Sequence, residues 1–337
     1  MIRPMENQRT ERLKSWVKSV LPAPLTDFQP ASTDASFRRY FRALTADTHY
    51  IVMDAPPSHE DCAPWLKVAH LFRAAGANTP QVFAENLADG FILMSDLGST
   101  TYLSVLNDDS ADRLYRDANA SLIKIQQASR AGVLPPYDAA LLRRELDLFP
   151  DWYIARHLGV QLSDAQQDRL EVTFRAILDN NLAQPSVFVH RDWHSRNLML
   201  TEPDNPGVID FQDAVYGPIT YDLVSIYKDA YIAWDEERIL DWVVRYWEAA
   251  KRAGLPVHAD FGAFYRDFEW MGAQRHIKVL GIFARLCHRD GKDGYLKDMP
   301  LVMRYLRSTC ERYRELQPLL ALLDAMEGKM AEVGFTF

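Results

Sequence analysis

The chain has 337 residues, 48% hydrophobic and 25% charged, with 15 Gly and 18 Pro. That suffices for a sizeable core and excludes a disordered, collagen-like or low-complexity polymer. Its 38 Lys and Arg against 46 Asp and Glu give a formal charge of −8, which argues against a general nucleic-acid binder.

In chain order, residues 1–20 lack the apolar core of a signal peptide. Around Glu11-Arg12-Leu13-Lys14-Ser15-Trp16-Val17 they read as an amphipathic helix. No stretch approaches the ~18 uninterrupted apolar residues of a membrane span. The three cysteines, Cys62, Cys287 and Cys310, lie far apart with no C-x-x-C pair, as thiols in a reducing compartment do. The expectation is a cytoplasmic protein with no membrane, nucleic-acid or obligate protein partner.

Ser36 to Leu44 and His49 to Ala55 alternate with a period near two and predict two strands joined by a short turn. Trp65, Val68, Ala69, Phe72 and Ala75 form a helical stripe, with Gly76 as its stop. Residues 81–84 and 90–94 read as two more strands, so the order is β-β-α-β-β in a mostly antiparallel unit. From Thr100 the pattern turns helical, with helices expected at 111–131, 139–158, 163–182, 219–232, 235–253, 260–288 and 298–330, the last broken near Pro318. One β-rich island, 186–213, interrupts them. The class is α+β, with a small lobe at 1–97 and a helical lobe at 98–337.

The island carries His190-Arg191-Asp192-Trp193-His194-Ser195-Arg196-Asn197, then Ile209-Asp210-Phe211-Gln212. Written as a pattern this is H-x-D-x-x-x-x-N followed, thirteen residues past the Asn, by D-F. Phosphoryl transfer explains the spacing. A carboxylate, Asp192, must orient the acceptor hydroxyl and take its proton. Oxygen ligands for Mg2+, here Asn197 and Asp210, must sit near the phosphates. His190 and His194 also share the i, i+4 spacing of a metal pair, but no further ligand is evident in the sequence. His190 is read as a brace for the loop and His194 as facing the acceptor.

With the trailing Gly217-Pro218-Ile219-Thr220-Tyr221-Asp222-Leu223, these motifs resemble the aminoglycoside phosphotransferase and choline kinase family. The resemblance implies a bilobal protein-kinase-like fold that uses ATP and Mg2+. It also implies that Asp222 opens a helix and supports the catalytic loop, a position that a simple helix cap would equally explain.

The small lobe departs from that family. Ala31-Ser32-Thr33-Asp34-Ala35-Ser36 has no glycine, so Ser32, Thr33 and Ser36 are the candidates to face phosphate. Where a phosphate-anchoring lysine is expected, Ile51-Val52-Met53-Asp54 offers Met53. Arg38, Arg39 and Arg42 are the available cations, unless they are solvated charges on an edge strand. Met94, Asp96 and Leu97 lie where the family hinge meets adenine. On the acceptor side, residues 269–286 form an apolar helix carrying Gln274, Arg275 and Lys278, read either as a pocket or as a buried network.

The strand at 35–42, the Tyr50-to-Pro57 segment and the Gln274-to-Leu286 helix resemble one subfamily, the bacterial anomeric sugar kinases of cell-wall recycling. Its acceptors are N-acetylmuramate and N-acetylglucosamine, phosphorylated at the C1 hydroxyl. The likeness alone implies this amino-sugar substrate, for whose lactyl carboxylate Arg275 or Lys278 is the candidate cation. An aminoglycoside, choline or homoserine phosphotransferase, or a non-catalytic nucleotide-binding module, are the alternatives.

Overall fold

The computed structural model describes residues 2–33 and 38–326. The chain divides into two compact units, Met1–Tyr102 with Asn197–Asp213, and Leu103–Arg196 with Ala214–Phe337. The segment holding Asn197 and Asp210, assigned from sequence to the helical part, therefore belongs to the same compact unit as the first strands. The architecture is α+β, with an antiparallel sheet in one unit and mostly helices in the other.

The first unit opens with α1 (Ile2–Val20) and a five-stranded sheet: β1 (Asp27–Thr33), β2 (Arg39–Leu44), β3 (His49–Asp54), β4 (Val82–Asn86) and β5 (Phe91–Ser95). Its order is β1-β2-β3-β5-β4, with every pair antiparallel. The strand at β1 was not anticipated. Pro30 interrupts its pattern, which an edge strand tolerates, and the register shifts between Pro30 and Ser32. Leu13 and Val17, four apart on α1, are buried against Phe41, Ala43, Tyr50, Val52, Phe91 and Leu93 of the sheet.

Helix α2 (Cys62–Ala74) starts at Asp61, whose side chain accepts from the Ala63 N–H, and gives way to Gly76 at φ 89°. Its Trp65 and Phe72 pack on Phe211, with ring centroids 5.2 and 6.2 Å apart. The rest of that segment is a hairpin, β7 (Leu198–Met199) with β8 (Gly207–Val208), bridged to Thr101 and Asn78. These contacts explain why the segment joins the first unit.

In the second unit β6 (Ser186–Val189) pairs antiparallel with β9 (Val215–Pro218), and β6 leads into the loop that carries Asp192. Around them lie α3 (Tyr102–Val105), α4 (Ala111–Gln127), α5 (Ala139–Leu148), α6 (Asp164–Ala183), α7 (Tyr221–Tyr227), α8 (Glu236–Arg252), α9 (Phe261–Asp290), α10 (Met299–Arg312) and α11 (Gln317–Ala325). The helix expected over 139–158 changes at Phe149 to a π-helical stretch, Phe149–His157. Pro150 lacks the N–H that the ladder needs, so a wider turn replaces it. The break expected near Pro318 falls earlier, at Tyr313, and Pro318 instead opens α11.

Helix α9 is buried along much of its length, including Trp270, Ala273, Ile277 and Leu280 in a hydrophobic core of the helical unit. Gly281 lets it approach α5, because a Cβ there would lie 2.5 Å from the Leu148 carbonyl carbon. A backbone atom cannot rotate away. Gly281→Ala is expected to cost about 1–3 kcal/mol of stability, read as a lowered Tm in thermal melts. Among the described residues no helix is long and apolar enough to cross a membrane.

Candidate active site

The loop that carries Asp192 leaves β6 at Val189 and is held from below by α7. Asp222, one residue into that helix, accepts from the His190 N–H at 2.7 Å and from the Arg191 N–H at 3.0 Å. Burial pushes its carboxyl up to about 7, against the pull of those two donors and of Arg275. Arg191 has φ 76°, a left-handed conformation that costs a non-glycine residue about 1–2 kcal/mol. Several contacts hold it there. Its carbonyl accepts from Arg275 Nη1 at 2.8 Å, and its guanidinium meets Glu145 at 2.5 Å. His190 is fully buried; its Nδ1 accepts from the Asp192 N–H at 3.2 Å and its ring packs edge-on against Trp193.

The Asp192 carboxyl sits among cations. Burial alone would raise it, but Lys278, Arg275, His194 and Arg191 overcome burial and hold it at about 2. It is therefore ionised at neutral pH and can accept a proton or a hydrogen bond. His194 packs edge-on against Tyr231, and burial holds its imidazole below the usual range despite Asp229 and Asp192. Ser195 donates through Oγ to Asp229 at 2.5 Å, and its N–H reaches the same oxygen at 3.0 Å. The Arg196 guanidinium lies 3.5 Å above the Tyr231 ring.

The polar residues of α9 form a buried network. Gln274 is fully buried and donates to the Leu142 carbonyl at 2.9 Å. Lys278 meets Glu145 at 3.0 Å and the Tyr221 hydroxyl at 2.8 Å; Arg275 also donates to Tyr221, at 3.2 Å. Glu145 accepts from Tyr137 as well. Buried charge of this kind requires such pairing. Sequence reasoning did not find Glu145 or Asp229, since each sits in an ordinary helical or loop context with no motif.

In the first unit Asn197 donates through Nδ2 to Asp210 at 3.2 Å, and its carbonyl accepts from Ile209 at 3.2 Å. Asp210 has φ 62° and also accepts from Gln212 Nε2 at 2.9 Å. The other amide oxygen, Gln212 Oε1, is buried without a hydrogen-bond partner among the described residues. A carboxylate, an amide oxygen and a buried unsatisfied amide oxygen suit a hard cation such as Mg2+. No group of three His, Cys, Asp or Glu suited to a metal occurs among the described residues, so a zinc site at His190 and His194 gains no further ligand.

The three small-lobe arginines have separate partners. Arg39 bonds Asp54 through Nε at 3.1 Å, and Arg9 reaches the same fully buried carboxylate at 2.8 Å. Arg42 grips both oxygens of Asp96, at 2.5 and 3.2 Å. Arg38 meets Glu60 at 3.4 Å. Ser32 and Thr33 end strand β1 instead of occupying a loop, and Ser36 lies outside the described residues. Met94 is buried within β5, Asp96 is occupied by Arg42, and Leu97 follows directly.

The phosphotransferase enzyme family matches residues 27–261, which include Asp192, Asn197, Asp210 and Asp222. A protein of Pseudomonas aeruginosa named N-acetylmuramate/N-acetylglucosamine kinase is 49% identical over 331 residues, covering 95% of this chain and 98% of its own. One of the same name from Neisseria meningitidis is 49% identical over 336 residues, covering 98% and 100%. Among solved structures, choline kinase LicA from Streptococcus pneumoniae aligns with a TM-score of 0.62 at 11% identity, over 89% of this chain and 99% of its own. The ADP-bound aminoglycoside phosphotransferase APH(2'')-Ib gives 0.58 at 15%, over 87% and 97%. Those two likenesses show the fold. With the match of 27–261 and two relatives near half-identical over almost the whole length, the chain belongs to the phosphotransferase enzyme family.

Proposed function

We propose that this enzyme transfers the γ-phosphoryl group of ATP to the C1 hydroxyl of N-acetylmuramate or N-acetylglucosamine, in cell-wall recycling. The observation that carries the chemistry is Asp192, a carboxylate beside Lys278, Arg275 and Arg191 on a loop braced by Asp222. The relatives' names support the acceptor. A cytoplasmic location is part of the same reading, since ATP is supplied there.

Asp192 accepts the hydrogen bond of the C1 hydroxyl and so aims its oxygen at the γ-phosphorus. As the new O–P bond forms, the bond from the γ-phosphorus to the β,γ-bridging oxygen breaks. The hydroxyl proton passes to Asp192, and ADP departs. Asn197 and Asp210, with the Gln212 amide oxygen, would hold Mg2+. When bound, that ion neutralises charge on the phosphate oxygens. Arg275 and Lys278 are committed to Tyr221, Glu145 and the Arg191 carbonyl, so their role is support of the loop. The cations around Asp192 disfavour a polycationic acceptor such as an aminoglycoside.

The test is ADP release by purified enzyme with ATP and Mg2+ across N-acetylmuramate, N-acetylglucosamine, an aminoglycoside, choline and homoserine. Phosphorus NMR of the product should show an anomeric phosphate. Turnover only on choline, homoserine or the aminoglycoside, or a phosphate on another sugar hydroxyl, would refute the assignment.

A further inference from the structure

We propose that Glu145, on α5, is a positioning residue for the transfer: it grips the Arg191 guanidinium, keeps the backbone before Asp192 left-handed, and so aims the Asp192 carboxylate. This rests on the function proposed above and adds to it a residue that no motif marks.

The φ of 76° at Arg191 turns the chain so that Asp192 leaves the loop in a direction that ordinary backbone at 191 would not give. A residue with a Cβ resists that conformation, whereas glycine adopts it freely. The main chain of Arg191 is tied on both sides, its N–H to Asp222 at 3.0 Å and its carbonyl to Arg275 Nη1 at 2.8 Å. Its side chain is a third tie. Nη2 donates to Glu145 Oε1 at 2.5 Å, and the guanidinium lies 5.6 Å from the centre of the Tyr137 ring. A charge-assisted contact away from water is of the same order as the cost of one left-handed residue. The Glu145 contact is therefore large enough to decide the conformation.

Glu145 owes its place to the way α5 meets α9. Leu142, Glu145 and Leu148 stand three apart on one face of α5 and engage α9 in step. The Leu142 carbonyl accepts from Gln274 Nε2 at 2.9 Å, Glu145 meets Lys278 at 3.0 Å, and Leu148 backs onto Gly281, which has no Cβ. Glu145 is only 5% exposed. Its Oε1 serves Arg191 and Lys278, and its Oε2 accepts from the Tyr137 hydroxyl. With both oxygens engaged, the carboxylate is a fixed anchor that cannot swing away from Arg191.

The experiment measures kcat and KM on N-acetylmuramate and N-acetylglucosamine, with saturating ATP and Mg2+. The proteins are wild type, Glu145→Gln, Arg191→Ala, Arg191→Gly and the double variant Glu145→Gln with Arg191→Gly, each with a thermal melt. Glu145→Gln is expected to lower kcat about 10- to 100-fold with KM near wild type, as misaiming a catalytic group does. Arg191→Ala keeps a Cβ and loses the anchor, so it should fall as far. Arg191→Gly loses the same guanidinium but takes the left-handed backbone unaided, so its kcat should fall no more than about fivefold. On that glycine background Glu145→Gln should cost less than about threefold more, because the conformation it held no longer needs holding. A merely structural Glu145 would lower Tm alike on both backgrounds and show no rescue by glycine.

Equal losses in Arg191→Ala and Arg191→Gly would overturn the inference. So would a kcat for Glu145→Gln within about threefold of wild type, or a loss as large on the glycine background as on the native one. Should Glu145→Gln fail to fold, the two Arg191 variants decide the matter alone. A wild type without turnover on either amino sugar would refute the proposed function instead.

Discussion

Asp192→Asn is expected to lower kcat by about 10²–10⁴-fold while leaving the KM for the sugar near its wild-type value, as loss of a proton acceptor in the transition state requires. An amide is nearly the same shape, so the loop should stay in place. It carries no negative charge and cannot take the hydroxyl proton. The carboxyl of Asp192 is held at about 2 by Lys278, Arg275, His194 and Arg191 acting against burial. It therefore remains a carboxylate throughout the neutral range and gains its proton only as pH falls toward that value. The wild-type pH–rate profile should accordingly show no acid limb from Asp192 above about pH 4. Steady-state kinetics of the variant, with a Tm within a few degrees of wild type, is the deciding measurement. A kcat within threefold of wild type would remove Asp192 from the chemistry.

The second large effect concerns the metal turn. Asp210→Asn should reduce turnover by about 10²–10³-fold at fixed Mg2+, the scale of losing one preorganised electrostatic group. It should also raise the Mg2+ concentration needed for half-maximal rate. Asp210 joins Asn197 and Gln212 through its two oxygens, so it is the centre of that donor set. Its left-handed backbone at φ 62° is better tolerated by Asp or Asn than by other side chains, so the substitution preserves the turn. A magnesium titration of the variant separates the two consequences. Unchanged magnesium dependence would mean that Asp210 does not hold the ion.

The candidate catalytic loop was legible because its motif is local. Asp192 and Asn197 are five residues apart in the chain, and Asp210 follows after a single hairpin, so spacing alone groups them as candidates. Partners from distant parts of the chain were not legible. Arg191 meets Glu145 from 46 positions away, Ser195 meets Asp229 from 34, and Arg38 meets Glu60 from 22. The polar residues of α9 show the same boundary. Their helical spacing predicted a shared polar environment, yet pocket and buried network were equally open until Glu145 and Tyr221 were seen beneath Lys278. Strand β1 was missed for a different reason. Pro30 breaks the periodic pattern, and only an edge position makes it compatible with a strand.

The sequence by itself determined the fold class, and it offered the candidate catalytic loop, the candidate metal turn and a β3 without lysine. Each of these is written in residue type and short spacing, which survive without knowledge of neighbours. Tertiary structure decided which carboxylate neutralises which arginine, and that residues 197–213 join the unit of α2 and the five-stranded sheet. It also decided that a left-handed Arg191 is supported from α5, α7 and α9. Those outcomes depend on the folding cost of buried charge and strained backbone. The chain meets that cost by pairing side chains that only folding brings together.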